Sequence, residues 1–420
     1  MVRRPDAPGS MLSALSDSDM SEVVADIRPG SLAAIAVKME SSDRIAAAFG
    51  RTTGLDIRQA TLVAVSDLVG DQGVVFAGAA DLVVVILDVD LTDPDRLLAD
   101  VSRRLSSTVT LDGVDYFVQT HIGVALPGDV SGTDVREVLQ GAIAAVHHAT
   151  TTGVHLAYAA DISIADLREE IQLAAELANA VGEAFTLHYQ PIVTMDTLDV
   201  VGYESLLRWT VDDRVRLPGE FLDAAEETSL IVPIGRWGVV EAIRQLAVWH
   251  RRSGRADLFV SVNFSSQQLV DHALTAHVAD ALAREGVAAA SLWIEVTERD
   301  LITADSPAAQ TIRELAELGC VIAVDDLGTG YAALRYMVDQ PVSVAKIDRS
   351  LIEGIDTGAT RRSIVETVCR LADELGIRSV AEGVENDAQV GVLREIGFTH
   401  AQGYLFGRPA PASQTTPPGG

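Results

Sequence analysis

Seven polar residues close or nearly close short apolar runs in the second half of this 420-residue chain. They are Glu204 after VVGY, Asn263 after LFVSV, Glu295 in LWIEVTE, Asp325 and Asp326 in VIAVDD, Lys346 in VAKID and Glu382 after SVA. Five of them are carboxylic acids. Carboxylates that converge repel one another unless they are protonated or hold a cation, and ligands made only of oxygen suit magnesium or manganese. Two such ions roughly 3.5–4 Å apart, bridged by a carboxylate, lower the pKa of a shared water and stabilise a displaced oxygen, which fits phosphodiester hydrolysis. The adjacent pair Asp325 and Asp326 is placed to bridge.

Each residue alone has a plainer account. A glutamate after an apolar run is usually the solvated end of a strand, and Asn263 is a common turn former. Lys346 by itself is a surface charge, Asp325 and Asp326 are caps for the segment that follows, and Gly328 and Gly330 mark a flexible turn. The signal lies in their joint placement.

Such placement needs a scaffold that brings many strand ends to one mouth. Eight candidate strands recur after residue 184: FTLHYQ, VVGYE, LFVSVN, LWIEVTE, VIAVDD, VAKID, SVAE and HAQ. Amphipathic stretches such as VVEAIRQLAVWH, AAQTIRELAELG and RRSIVETVCRLADELG separate most of them, the rhythm of a β/α barrel with its chemistry at the carboxyl ends of the strands. Between Gln190 and Glu204 the linking sequence is too short for a helical crossover, so the first two strands are expected to pair antiparallel. The expected fold is α/β: a TIM-like (β/α)8 barrel with one antiparallel strand, preceded by a smaller α/β domain. Expected boundaries are a mobile arm at 1–28, the smaller domain at 29–160, the barrel at 161–411 and a flexible tail at 412–420.

Composition narrows the partners. Apolar residues make up 48% and charged residues 22% of the chain, enough for two large cores. The formal net charge of -28 excludes long nucleic acids better than small phosphodiesters, which bound cations can neutralise locally. Two distant cysteines, Cys320 and Cys369, form neither a disulfide framework nor a zinc signature, and no run reads as a membrane span or leader. A cytoplasmic location is the expectation.

With these residues in hand, the second unit resembles the EAL-domain cyclic di-GMP phosphodiesterases from about Leu167 to Pro409. LHYQPIV, YESLLRW, VSVNFS, IEVTE, VDDLGTGY, KID, AEGVE and QGYLFGRP occur in that family's order. The resemblance implies a two-metal site for Mg2+ or Mn2+, with Glu204, Asn263, Glu295 and Asp325 on one ion and Asp325, Asp326 and Glu382 on the other. It implies that Lys346 orients the attacking water and that Glu298 steadies the loop DDLGTGY. Gln190 and Gln402 match positions near the nucleotide, and Arg208 matches a phosphate contact. The reaction implied is hydrolysis of cyclic di-GMP to linear pGpG, in a homodimer formed through the EAL domain. Two departures stand out: Ser205 replaces the usual Ala of the signature triplet, and Leu327 replaces the usual Phe.

The first unit resembles a GGDEF diguanylate cyclase domain that has lost its signature. The aligned stretch reads Gly78-Ala79-Ala80-Asp81-Leu82, and the family's metal-binding aspartate falls near Lys38, a cation that would repel the metal. No cyclase activity is expected, and a regulatory or dimerising role follows from the resemblance. Two rival readings concern the whole chain: a receptor that binds cyclic di-GMP without cleaving it, and a scaffold whose function resides in the first domain. Turnover separates the first from an enzyme; deletion of residues 1–160 tests the second.

Overall fold

Side chains along a strand alternate between its two faces, so a closed sheet sorts every second residue into its interior. That alternation organises the larger of two units in this chain. The computed structural model describes residues 31–415 apart from 40–41, 71–72, 78–81, 89–93, 106–107, 130–134, 182–183, 212–213, 298–305 and 328–339. It divides into Met1–Glu170 and Ile171–Gly420.

The first unit runs β1 (Leu32–Met39), α1 (Ser42–Phe49), α2 (Arg51–Val69), β2 (Gly73–Ala77), β3 (Leu82–Asp88), α3 (Pro94–Leu105), β4 (Val109–Leu111), β5 (Val114–Tyr116), β6 (Thr120–Ala125), α4 (Val135–Thr152) and β7 (Leu156–Tyr158). Its five-stranded sheet has the order β2-β3-β1-β6-β7, with β3 and β6 antiparallel to β1 and β7 parallel to β6. The nearly continuous apolar run of β1 reflects its central position, covered on both faces. Ala33, Ile35 and Val37 pack with Ile57 and Val65 of α2, while Ala34 and Ala36 pack with Val138, Ala142 and Val146 of α4. Lys38, half-buried on β1, stands opposite Leu82 and His121. Residues 78–81 of the degraded signature lie outside the described residues.

Helix α5 (Ile164–Ala180) leads to the second unit, whose strands are β8 (Phe185–Thr194), β9 (Val200–Val211), β10 (Arg214–Arg216), β11 (Phe259–Asn263), β12 (Leu292–Thr297), β13 (Val321–Leu327), β14 (Val342–Ile347), β15 (Arg378–Ala381), β16 (His400–Gln402) and β17 (Ala410–Pro411). Strands β9 and β11 to β16 run parallel in sequence order, and β8 closes the circle. As the short linker predicts, β8 pairs antiparallel with both β9 and β16. The result is a closed eight-stranded barrel of the TIM-like kind with one reversed strand. Helices α6 (Ile231–Ser253), α7 (Leu274–Glu285), α8 (Pro307–Leu318), α9 (Ala359–Glu374) and α10 (Asp387–Ile396) follow strands in the expected rhythm. The outward residues Val260, Val262, Ile294, Ile322 and Val324 share a core with Val239, Ile243, Leu246 and Trp249 of α6. β17 pairs with β8, and Ala412 packs on that core.

Inside the barrel, the amino-terminal floor is aromatic. Phe259 and Trp293 stack with ring centroids 3.7 Å apart, Arg378 lies 4.8 Å over Trp293, and His400 meets Trp293 edge-on at 5.8 Å. Gly202 on β9 makes room for this stack, since a Cβ there would lie 2.4 Å from the Phe259 ring. Two residues later on β9, and two or four later on the other strands, the inward positions become polar. Among the described residues no helix is long and apolar enough to cross a membrane.

Candidate active site

Period-two geometry carries Glu204, Asn263, Glu295, Asp325, Lys346 and Gln402 inward on β9, β11, β12, β13, β14 and β16, and Glu382 follows β15 directly; β9 does not end at Glu204, as the sequence suggested, but runs on to Val211. Lys346 is the hub. Its Nζ lies 2.6 Å from Glu382 Oε1, 2.8 Å from Glu295 Oε2, 3.3 Å from Asp325 Oδ1 and 3.8 Å from Glu204 Oε1. Its side chain is only 2% exposed. Burial works against the ammonium, but the surrounding carboxylates overcome that and hold it protonated well above the ordinary lysine range.

The remaining acceptors are largely satisfied by neutral donors. Ser261, inward on β11 two residues before Asn263, donates its hydroxyl to Glu295 Oε1. Asn263 Nδ2 donates to Glu204 Oε1 at 2.9 Å, and Gln402 Nε2 donates to Glu204 Oε2 at 2.5 Å and to Gln190 Oε1 at 3.1 Å. Gln190 is itself anchored through Nε2 to the carbonyl of Gly407 at 3.1 Å. Facing positions explain this set, because Gln190 on β8 is the register partner of Glu204 on β9.

One ammonium cannot neutralise four carboxylates. Glu295 is held well above the usual carboxylate range by complete burial, with Glu204 and Asp325 adding repulsion against the pull of Lys346. Burial likewise pushes Glu382 up to about 8, opposed by Lys346 and reinforced by Asp325 and Glu204. The excess of buried negative charge and the oxygen-only donors fit a divalent cation. So does Gln402 Oε1, a buried acceptor with no hydrogen-bond partner among the described residues. Among the described residues no three of His, Cys, Asp and Glu converge closely enough to ligate one ion, since the Lys346 ammonium is seated between the carboxylates.

Gln190, Glu204, Asp325, Lys346, Glu382 and Gln402 line a cavity of about 210 Å³ together with Arg349, Gly383, Glu385, Gly403 and Tyr404, whereas Asn263 and Glu295 are not on its wall. Gly383 turns the chain sharply after Glu382 with φ 68°, and a Cβ there would lie 2.4 Å from Arg349 Cγ. Arg349, on the one-turn helix Arg349–Ile352, pairs with Glu385 at 2.8 Å across the rim. The cavity therefore contains a second cation and two further polar side chains that the sequence analysis did not single out. Glu385 carried a usable signal, three residues after Glu382 in AEGVE; Tyr404 carried none beyond its motif QGYLFGRP, and Arg349, just after KID, carried none.

Not every predicted residue joins the cavity wall. Arg208 lies on β9 four residues beyond Glu204, is 7% exposed, donates through Nη1 to the carbonyl of Leu207, and makes no ion pair among the described residues. Burial lowers its pKa, against the opposing pull of Glu204 and Tyr404. Asp326 follows Asp325 within β13, but its side chain lies outside what is described, as do Glu298 and the loop with Gly328 and Gly330.

Both departures from the family pattern find ordinary surroundings. Ser205 is buried and donates to the carbonyl of Ser261 at 2.7 Å. Leu327, 2% exposed, packs outward with Ala345, Ala372 and Ile377, on a strand whose register with β14 shifts between Val324 and Leu327.

Comparison with known proteins agrees with this architecture. Residues 174–409 match the family model described as the EAL domain. The bifunctional diguanylate cyclase/cyclic di-GMP phosphodiesterase MucR of Pseudomonas aeruginosa is 34% identical over 341 residues, covering 80% of this chain and 49% of that protein. The cyclic di-GMP phosphodiesterase NbdA of the same organism is 30% identical over 390 residues, covering 92% and 49%. This chain thus spans about half the length of these curated relatives. A solved structure, the PaMucR phosphodiesterase in complex with c-di-GMP, is 38% identical with a TM-score of 0.54, over 58% of this chain and 99% of that one. By the family match across more than half its length, and by a barrel that gathers the matched acids at one mouth, the chain belongs to the EAL-domain family.

Proposed function

We propose that the barrel is a metal-dependent phosphodiesterase that hydrolyses one ester of cyclic di-GMP to linear pGpG. The observation that carries the reading is the Lys346 cluster, in which four carboxylates surround a single buried ammonium. The named activities of MucR and NbdA support it. Glu204, Asn263, Glu295 and Asp325 would hold one Mg2+ or Mn2+, and Asp325, Asp326 and Glu382 a second. Such ions, when bound, acidify water and offset charge on the phosphoryl oxygens.

The chain's own groups do the rest. Lys346 holds a positive charge and a donor where the attacking water would be oriented, and Gln190 and Gln402 fix the acceptors beside it. Arg208, a buried guanidinium with no carboxylate in ion-pair range among the described residues, is suited to a phosphate. Glu298 would steady the loop after Asp326. For residues 29–160 the proposal is a degenerate GGDEF-like domain without cyclase activity that regulates or dimerises the barrel, with Lys38 in the place of a metal ligand. A homodimer through the EAL domain belongs to the same proposal.

The test is incubation of the purified chain with cyclic di-GMP and Mg2+ or Mn2+, following pGpG by chromatography beside Glu204→Ala. Turnover lost in the variant supports the enzyme. Binding without turnover in either metal would make the chain a receptor instead.

A further inference from the structure

The cavity has a polar floor, but a nucleobase also presents two flat faces, which a carboxylate does not match as it can match the donors on the base edge. Among the described residues, Tyr404 is the aromatic residue on the cavity wall. It sits in the turn after β16, two residues beyond Gln402, and 46% of its surface is exposed. The guanidinium of Arg408 lies 4.0 Å from the ring centroid and covers one face. The turn beneath is fixed by main-chain bonds, from Val384 N to Gln402 O at 3.0 Å, Leu405 N to Val384 O at 3.1 Å and Phe406 N to Gly403 O at 3.1 Å. An exposed ring that is clamped on one side and rooted in a rigid turn presents its other side as a ready flat surface.

We infer that Tyr404, backed by Arg408, is the platform on which one nucleobase of the substrate stacks, so that it sets base preference rather than rate. The inference rests on the reading that this cavity takes a cyclic dinucleotide. Stacking of a base on an aromatic side chain depends on shared flat area, so a purine gains more than a pyrimidine. The cation on the far face orders the ring without competing for the near one. Chemistry stays with the groups around Lys346, so removal of the ring weakens binding and leaves the chemical step in place.

The experiment uses the full chain with Tyr404→Phe, Tyr404→Leu and Tyr404→Ala, measuring kcat and KM for cyclic di-GMP with magnesium, and its affinity by calorimetry. Phe keeps the ring and is expected to match the parent. Leu keeps bulk without a π face, and both Leu and Ala are expected to raise KM or Kd by roughly five- to a hundredfold with kcat little changed. The penalty should shrink with cyclic di-UMP. Parent turnover or binding with unchanged KM and Kd in Leu and Ala overturns the platform and leaves the phosphodiesterase reading intact. A loss confined to kcat overturns it also. A parent that binds but does not cleave removes the phosphodiesterase reading while Kd still reports on the ring; a parent that neither binds nor cleaves overturns both.

Discussion

Replacing Lys346 with Met removes the positive charge that four carboxylates share at 2.6–3.8 Å while keeping all but the last atom of an unbranched side chain. Taking one partner from a buried ionic cluster costs roughly 3–5 kcal/mol when the others stay ionised. In a unit the size of this barrel each kcal/mol moves Tm by about 2–4 °C, so the loss at alkaline pH is roughly 6–20 °C. The loss has a pH signature. Glu295 and Glu382 already lie above the usual carboxylate range through burial, and without Lys346 they move further up. The folded variant then binds more protons than the unfolded chain, so its stability rises as pH falls toward the unfolded carboxylate range and is lost as pH rises through the folded values. Thermal unfolding by circular dichroism, in chelator at pH 8.5 and pH 6, is the assay. The deficit against the parent should be largest at pH 8.5 and less than half as large at pH 6. A deficit below about 2 °C at pH 8.5, or one equal at both pH values, would refute the idea that Lys346 neutralises a buried acidic cluster.

The floor of the barrel supplies a titration of opposite sign. Burial, aided by Arg378, lowers the pKa of His400 to about 4, so as pH falls below 6.5 the unfolded chain takes up a proton that the folded chain resists. From pH 7.5 to 5.5, still above the sequence pI of 4.5, this costs up to about 1.3 kcal/mol. His400→Gln should flatten that part of the unfolding profile, and an unchanged slope counts against it. Gly202→Ala drives a methyl group into the Phe259 ring and should lower stability by about 1–3 kcal/mol in urea unfolding, whereas a neutral result would mean that the aromatic floor is loose. Ser205→Ala removes one buried hydroxyl donor and should cost about 0.5–1.5 kcal/mol while leaving pGpG formation unchanged; lost turnover would place Ser205 in the chemistry.

The barrel was legible because its strands are apolar runs that end on polar groups, and because a linker as short as Pro191–Tyr203 admits a hairpin and no crossover helix. Asn263, Glu295, Asp325, Lys346 and Glu382 could be found from those apolar runs, and so could Glu204 although β9 continues to Val211, whereas Gln402 came only through the family motif. Their partners could not. Ser261 lies inside a strand, and nothing in VSVN marks its hydroxyl as the donor to a glutamate on the next strand. Tyr404 reaches the cavity from a turn and Arg349 from the start of a one-turn helix, where no periodicity tells which way a side chain faces. The role of Gly202 depends on a ring 57 positions away in sequence, at Phe259. β17 is a two-residue strand, too short for alternation to show. In the first unit, the central place of β1 between two antiparallel neighbours is a matter of long-range pairing that local pattern does not encode.

The reversed strand also changes how the barrel is wired. Because β8 runs against its neighbours, the polypeptide comes in at the mouth, where Phe185 pairs with Trp209 and Thr186 with Arg208, and only then descends past Gln190 to the floor. In an all-parallel barrel the first strand would start at the floor, remote from the cavity. The first strand of the barrel thus meets the rim before the floor, with Phe185 opposite Trp209, Thr186 opposite Arg208 and Gln190 opposite Glu204 in that order.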